Sequence, residues 1–341
     1  MKKREDRAPT IREVARLANV GVMTVSRALN SHLSLRPATR SRVEGAIAKL
    51  GYQQNEAARM MRGRRTKTIG LIVPDLSDQF FATCAHTVQQ IAREQRFMTL
   101  VASSDRDPGL EVEQARLMSN RMLAGLLIVS SLRADDHRLQ SLRDAGFSIV
   151  AFDRPLAGGN TDTVLVDNRA GAKEATQHLI DHGHRRITCV GYDEDVYTVS
   201  ERLAGFKSEM MSHGLKPQTK LDMGNLEATR SWVKETMPLK DRPTAIFSLN
   251  HRTSGFLLRA LFEQQVQIPK RMALIGFDDF ELADLMFPAL TTVSQSPVEL
   301  ARRSIDLLLE RIRGMQSTAS FEPIKIVLGT RLIVRASCGP H

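Results

Sequence analysis

The sequence predicts a small all-α headpiece followed by an α/β core of two lobes with parallel, doubly wound sheets. Three observations carry this. Two short amphipathic helices joined by a Gly-containing turn lie near the N-terminus. A basic excess is confined to that same piece, and apolar runs alternating with helices occur twice from Thr68 onward. The chain of 341 residues has room for two or three domains of the usual ~100–200 residues.

Within 10–30, TIREVARLANVGVMTVSRALN, Ile11, Val14, Ala15 and Ala18 fall at i, i+3, i+4 and i+7, one stripe of a helix. Thr10 precedes it as an N-cap with Glu13 three residues on, the spacing of a capping box. Asn19-Val20-Gly21 interrupts the pattern, and a second helix reads over 22–29 with Val25, Ala28 and Leu29 inward. This is the sequence form of a helix-turn-helix, whose second helix enters the DNA major groove. Val22, Met23, Thr24, Ser26 and Arg27 stay outside its core; the apolar pair can meet thymine methyls, and Arg27 can fork onto guanine or phosphate.

After the loop 31–37, a third helix reads over 40–50 and closes at Gly51 as a left-handed cap. The three helices are expected to share a core of Ile11, Val14, Leu17, Val25, Leu29, Val43, Ile47 and Leu50. Arg36, Arg40 and Arg42 flank the third helix within reach of phosphates, and Thr10 and Asn30 complete the DNA-facing candidates. Residues 1–65 hold 15 Lys+Arg against 5 Asp+Glu, whereas the rest of the chain holds 33 of each, so the whole net charge of +10 coincides with the docking motif.

The segment 53–62, QQNEAARMMR, has helix-forming residues but no evident partner, and a short isolated helix is marginal in water. It is expected to order on DNA, with Ala57 and Ala58 permitting close approach to the minor groove and Met60 or Met61 wedging between base steps. The domain division is therefore 1–52 headpiece, 53–66 hinge and linker, and 67–341 core.

From Thr68 short apolar runs over 69–74, 97–103, 124–130 and 147–152 are separated by helical stretches over 81–95, 110–122 and 135–145. The texture then repeats, with strands over 187–191, 244–249 and 272–277 and helices over 202–212, 254–265 and 297–313. Tandem α/β lobes place a ligand between them, at the carboxyl ends of the strands. Those ends carry Asp75 to Phe81, Asp153-Arg154, Tyr197-Thr198, Arg202, Asn250-His251-Arg252 and Asp278-Asp279: an aromatic wall, carboxylates for sugar hydroxyls and cationic donors.

Other classes fit less well. No run of eighteen apolar residues is present, and the charged N-terminus leads into an amphipathic segment, so neither a membrane span nor a secretion signal is expected. Cys84, Cys189 and Cys338 lack metal spacing and suit a reducing cytoplasm, and His182-Gly183-His184 reads as a helix end. Neither glycine-rich phosphate motif occurs, so a nucleotide-dependent enzyme is not indicated and no cofactor or metal is expected.

The whole chain resembles the lactose-repressor (LacI-type) bacterial transcription regulators. The resemblance rests on TIREVARLANV…MTVSRALN, TRSRVEGAIAKLGYQQNEAARMMR, TIGLIVPDLSDQFF, ERLAGF, RPTAIFSLN, IPKRMALIGFDDF and PALTTVSQ, over residues 9 to 338. It implies a homodimer on operator DNA, with Val22, Met23 and Arg27 in the major groove of a half-site. A hinge helix around 55–61 would carry Asn55, with Ala58 on the minor-groove floor and Met61 where the family usually has an intercalating Leu. The core would resemble a type I periplasmic sugar-binding protein, and the family's ligand positions fall on Phe80, Phe81, Arg154, Thr198, Arg202, Asn250 and Asp278.

Three departures stand out: Gly21 where the family has Ser or Thr, Gln54 where it commonly has Pro, and Asn250-His251 where it usually reads Asn-Asp. With Arg154, Arg202, His251 and Arg252 about one cleft, an anionic effector such as a sugar acid or sugar phosphate is expected, the alternative being a neutral sugar with the arginines forking onto hydroxyls and His251 facing solvent. No apolar heptads follow the final RLIVRASCGPH, so a dimer is expected and not a tetramer.

Overall fold

The computed structural model describes residues 9–30, 35–52, 66–133, 135–314 and 322–339. The chain divides into two compact units, 1–66 and 67–341. The hinge candidates Asn55, Ala58 and Met61 lie outside the described residues, as does Gln54.

In the first unit, α1 (Ile11–Leu17), α2 (Val22–Asn30) and α3 (Pro37–Leu50) enclose Val14, Ala15, Ala18, Val25, Val43 and Ala46. The capping box forms: Thr10 donates its backbone N–H to the Glu13 carboxylate at 2.6 Å, and the Glu13 N–H returns to Thr10 Oγ1 at 3.4 Å. Asn19 takes a left-handed φ of 50° in the turn, which Asn tolerates better than most residues. Two expectations change here. The third helix begins three residues earlier than read, because Pro37 sits at its first turn, where its missing N–H costs nothing. Leu17 is exposed; the alanines at 15, 18 and 46 fill the centre instead, since small side chains let three short helices approach closely.

The second unit holds two sheets of six strands. The first lobe contains β1 (Thr68–Val73), β2 (Met98–Ser103), β3 (Gly125–Ile128), β4 (Ile149–Phe152), β5 (Asp162–Val166) and β11 (Lys325–Leu328), in the order β11-β5-β4-β3-β1-β2 and parallel throughout. The second contains β6 (Ile187–Val190), β7 (Gln218–Lys220), β8 (Ala245–Ser248), β9 (Ala273–Phe277), β10 (Thr291–Ser294) and β12 (Arg331–Ile333), ordered β12-β10-β9-β8-β6-β7, with β12 alone antiparallel among these strands. In both, the strand order reverses beside the first strand of the lobe, the switch point where open sheets leave a crevice.

Helices cover both faces of each sheet. In the first lobe α4 (Gln79–Glu94) and α11 (Pro297–Gly314) share one core, and α5 (Pro108–Asn120) with α6 (Gln140–Asp144) close the other face. In the second, α7 (Asn168–Asp181) and α8 (Tyr197–Ser212) pack on one face, and α9 (Leu226–Thr236) and α10 (His251–Glu263) on the other. Gly205 on α8 lies against the Arg169 carbonyl, so a side chain there would push α8 away from α7 and move the Arg202 that it carries. The chain passes between lobes three times, near Asp167, Gln295 and Gly329.

The helix expected over 135–145 shrinks to five residues. Asp136 accepts from both the backbone N–H and the guanidinium of Arg138, a local bond that competes with helical pairing. The run 97–103 is an edge strand with Met98 and Leu100 exposed, not a buried one.

Candidate functional site

Two sites follow from the sequence, one in each unit. In the headpiece Val22 and Met23 open α2 and are exposed at 43% and 72%. Arg27 and Arg36 are exposed, and Thr10, Thr24, Ser26 and Arg40 are half-buried beside them in the chain. Gly21 supplies only its carbonyl to the start of α2, accepting from Thr24 and Val25 at 2.9 and 3.2 Å. The result is an exposed apolar pair at the start of α2, with Arg27 in its last turn and Arg36 and Arg40 at the start of α3.

In the core, strand ends from both lobes converge on one cleft, lined by Phe80, Phe81, Arg154, Thr198, Arg202, Asn250, His251 and Asp278. Arg202 is its anchor. The side chain is 3% exposed and lies with Cζ 3.7 Å over the Phe277 ring. Its Nε donates to Asn168 Oδ1 at 2.7 Å, one Nη donates to the Leu249 carbonyl at 2.6 Å, and the fork meets both oxygens of Asp278 at 3.1 and 3.2 Å. Gln295 Nε2 adds a third donor to Asp278 at 2.6 Å. Burial alone would push the Asp278 carboxyl up, but Arg202 and His251 overcome it and hold the group at about 2.

His251 stands between the lobes. Nε2 is 3.7 Å from Asp78 Oδ1 and Nδ1 is 3.7 Å from Asp278 Oδ2. The Asp278 carboxylate holds the imidazole above its usual range against the opposing effect of burial, with Asp78 assisting. Asp78 also caps α4, accepting from the Phe80 N–H at 3.0 Å. Phe80 and Phe81 meet edge to face with centroids 5.2 Å apart.

Asn250 caps α10 through Oδ1, which accepts from the Thr253 N–H at 2.9 Å. That bond fixes its amide, and the buried Nδ2 has no partner. Arg154 reaches Asp153 through Nε at 3.5 Å and the Ser130 carbonyl through Nη at 3.4 Å, yet its buried Nε has no hydrogen bond. These are donors that a ligand oxygen would satisfy.

Asp75 is not brought into the cleft. Its carboxylate accepts from the Ser77 hydroxyl and N–H at 2.6 and 2.9 Å and pairs with Arg106 at 3.3 Å, so it serves the turn after β1. The lining also includes Asp78, Arg106, Asp153, Tyr192, Val199, Arg252 and Gln295. Asp78 and Asp153 stand in the strand-end strings without being singled out. Gln295 closes the string PALTTVSQ without being singled out, and it is the residue just past the end of β10. Among the described residues no cluster of three metal-binding side chains occurs, and no helix is long and apolar enough to cross a membrane.

Comparison with known proteins finds relatives for both the headpiece and the core. Residues 10–55 fit the profile of bacterial regulatory proteins of the lacI family, and residues 176–338 fit a periplasmic binding protein-like domain. The HTH-type transcriptional regulator CelR of Thermobifida fusca is 33% identical over 97% of this chain and 98% of its own length. A solved CelR–cellobiose complex superposes with a TM-score of 0.70 at 30% identity, covering 96% of this chain and 99% of that one. A LacI family regulator from Enterococcus faecium with bound ribose gives 0.70 at 27% identity, covering 80% and 99%. With a DNA-reading headpiece joined to a two-lobed binding core along nearly the full length of such a relative, the chain belongs to the lacI family of bacterial transcription regulators.

Proposed function

We propose that this protein is a cytoplasmic repressor that binds operator DNA as a homodimer and is controlled by a neutral sugar held between the lobes of its core. The pairing of the cleft's charges carries the choice of ligand. Arg202 is matched by Asp278, Arg154 by Asp153 and Arg106 by Asp75, and His251 lies between Asp78 and Asp278; Arg252, which also lines the cleft, lies over the Phe256 ring at 5.7 Å. The expectation of an anionic effector counted the cations without these carboxylates. A neutral polyol fits better: Asn250 Nδ2 and Arg154 Nε offer donors, the carboxylates accept from hydroxyls, and the Phe80–Phe81 pair offers an apolar wall. Cellobiose in the CelR complex and ribose in the Enterococcus protein are both neutral sugars.

The homodimer reading rests on DNA geometry and on an exposed face. One recognition helix reads one half-site, so two copies are needed for a two-fold operator. The second lobe exposes Phe262, Leu282, Leu285 and Phe287, the last of them fully, and a second copy of the chain would cover them.

Effector and operator affinities are linked, so a sugar that weakens DNA binding must itself bind more weakly to the DNA complex, by the same factor. Mobility shifts on the DNA upstream of its own gene, with and without paired neutral sugars and their acids, test the reading. A response to the acids alone would overturn the ligand assignment. Replacing Arg27 by Ala is expected to cost roughly 1–3 kcal/mol of operator binding and to relax preference at one base pair. An equal loss across all operator variants would mean that Arg27 touches only backbone.

A further inference from the structure

We propose that Glu111, which stands behind the cleft, is the positioning residue that sets Arg154 within it, acting through the single peptide that joins Ser130 to Ser131. This rests on Arg154 as a ligand donor, as read above, and adds the group that aims it. Glu111 lies in the first turn of α5, has no exposed surface and is not among the residues that line the cleft. A carboxylate is among the costliest groups to bury, so one placed there is held by its partners. It is not needed to start the helix, because Asp107 caps α5 by accepting from the Gly109 and Leu110 N–H groups at 2.6 and 3.2 Å.

Both Glu111 oxygens are spent on the loop after β3. Oε1 accepts from the Ser130 hydroxyl at 2.6 Å, and Oε2 accepts from the Ser131 N–H at 2.5 Å. Ser130 Oγ in turn accepts from the Leu132 N–H at 3.1 Å, so three consecutive residues are fixed by one carboxylate. The Ser131 N–H belongs to the same peptide group as the Ser130 carbonyl, and that carbonyl accepts from Arg154 Nη1 at 3.4 Å. One amide plane is thus held by a carboxylate at its N–H end and by a guanidinium at its C=O end. Its dipole lies between opposite charges in the favourable sense, and each bond polarises the other. Burial raises the Glu111 carboxyl, and the bonds from Ser130 and Ser131, followed by the charge of Arg154, work against that rise. The two charges therefore feel each other across the peptide.

The consequence for the cleft is at Nε. With Nη1 engaged by the Ser130 carbonyl, the buried Arg154 Nε is left without a hydrogen bond, available to a ligand oxygen. A Gln at 111 would offer one acceptor and turn a donor toward the other bond, so only the carboxylate holds both ends of the loop as they stand. The same loop runs on to Arg133, whose guanidinium pairs with Asp195 in the second lobe. The segment that Glu111 steadies carries one contact toward the ligand and one across the lobes.

Glu111→Gln in the full chain tests the inference, because the amide fills the same space while removing the charge. Nuclear magnetic resonance on protein with isotope-labelled arginine and serine gives a readout that needs no ligand. The Arg154 Nε–H signal is identified by its loss in Arg154→Lys, and the Ser131 N–H signal by its loss in Ser131→Ala. Glu111→Gln should shift both and leave the Nε–H signal of Arg202, which bonds Asn168, in place. If the Arg154 signal stays where it is, Glu111 supports the loop alone and the inference falls. Calorimetry with ribose and cellobiose gives the second readout. Glu111→Gln should bind about tenfold more weakly, the worth of one charged hydrogen bond, and on an Arg154→Lys background the same change should cost no further affinity. Equal losses on the two backgrounds overturn the inference. If neither sugar binds the wild type, the neutral-sugar reading fails, while the Arg154 signal still decides the role of Glu111. Should Glu111→Gln not fold by circular dichroism, Glu111→Asp, which withdraws the carboxylate from the same two donors, takes its place with the same outcomes.

Discussion

The two lobes end their fourth strands alike and then diverge. Asp153 follows β4 and Asp278 follows β9; both take left-handed φ, 63° and 71°, and both are buried in the same cleft. A non-glycine residue in that conformation is uncommon, and its recurrence at equivalent strand ends marks the two turns that aim carboxylates at the ligand. Their surroundings differ. Asp278 has Arg202 in a two-pronged grip and the Gln295 amide, whereas Asp153 has Arg154 at 3.5 Å. Burial raises the Asp153 carboxyl, with Arg154 and Arg202 offsetting it only in part, while Asp278 falls to about 2. A repeated fold therefore does not repeat its chemistry. The second lobe's half of the site is built in advance, and the first lobe's half is completed by what binds.

Asp278→Asn should show the largest effect. It leaves Arg202 buried without its counter-charge, and breaking such a pair costs about 3–5 kcal/mol. Here the lower end is expected, because Asn168 and the Leu249 carbonyl still accept from the guanidinium. Urea denaturation would measure it, and combining Asp278→Asn with Arg202→Leu should cost less than the separate changes added together. Acid gives an independent check. A carboxyl held at about 2 contributes stability above its unfolded value near 3.9, and that contribution is lost as pH falls from about 4 through 2.

Asp153→Asn should behave in the opposite way. Asn accepts the left-handed backbone and removes a buried charge that is poorly compensated, so stability at neutral pH is unchanged or rises. The effector should suffer instead, losing a charged acceptor worth about 1.5–3 kcal/mol, roughly tenfold to a hundredfold in affinity. If Asp153→Asn and Asp278→Asn destabilise the fold equally, the contrast between the lobes is wrong.

How much of this was legible depends on whether the determinant was local. The helix-turn-helix, the repeated α/β texture and Arg202 could be read because periodicity, turn residues and strand ends leave marks in a few consecutive positions. The pairing of Arg202 with Asp278 joins residues 76 apart, and nothing near either one announces it. The two carboxylates that His251 meets, Asp78 and Asp278, are hidden for that reason: cations can be counted along a chain, but the groups they face are a fact of three dimensions. Short strands escaped for a related reason. β5, DTVLV, is buried along its whole length although it opens on a charge, because Arg311 from α11 and the Ile324 N–H satisfy Asp162.

The smallest expected effect tests how the lobes are joined. His251 belongs to the second lobe through Asp278 and faces the first through Asp78. Asp278, followed by Asp78, favours its protonation, and burial, followed by Arg202, opposes it, with a net raised affinity for the proton. A raised imidazole contributes stability fully below its unfolded value near 6.5 and loses it as pH rises through the folded value. Denaturation midpoints should therefore decline on the alkaline side of 6.5, by about 0.5–1 kcal/mol for a partly exposed pair of contacts. His251→Asn should flatten that decline. Asp78→Asn should reduce it while leaving the acid limb set by Asp278 in place, because the change removes only the carboxylate contributed by the first lobe. If Asp78→Asn leaves the alkaline slope untouched, His251 titrates within the second lobe alone, and the ionic tie between the lobes does not operate in solution.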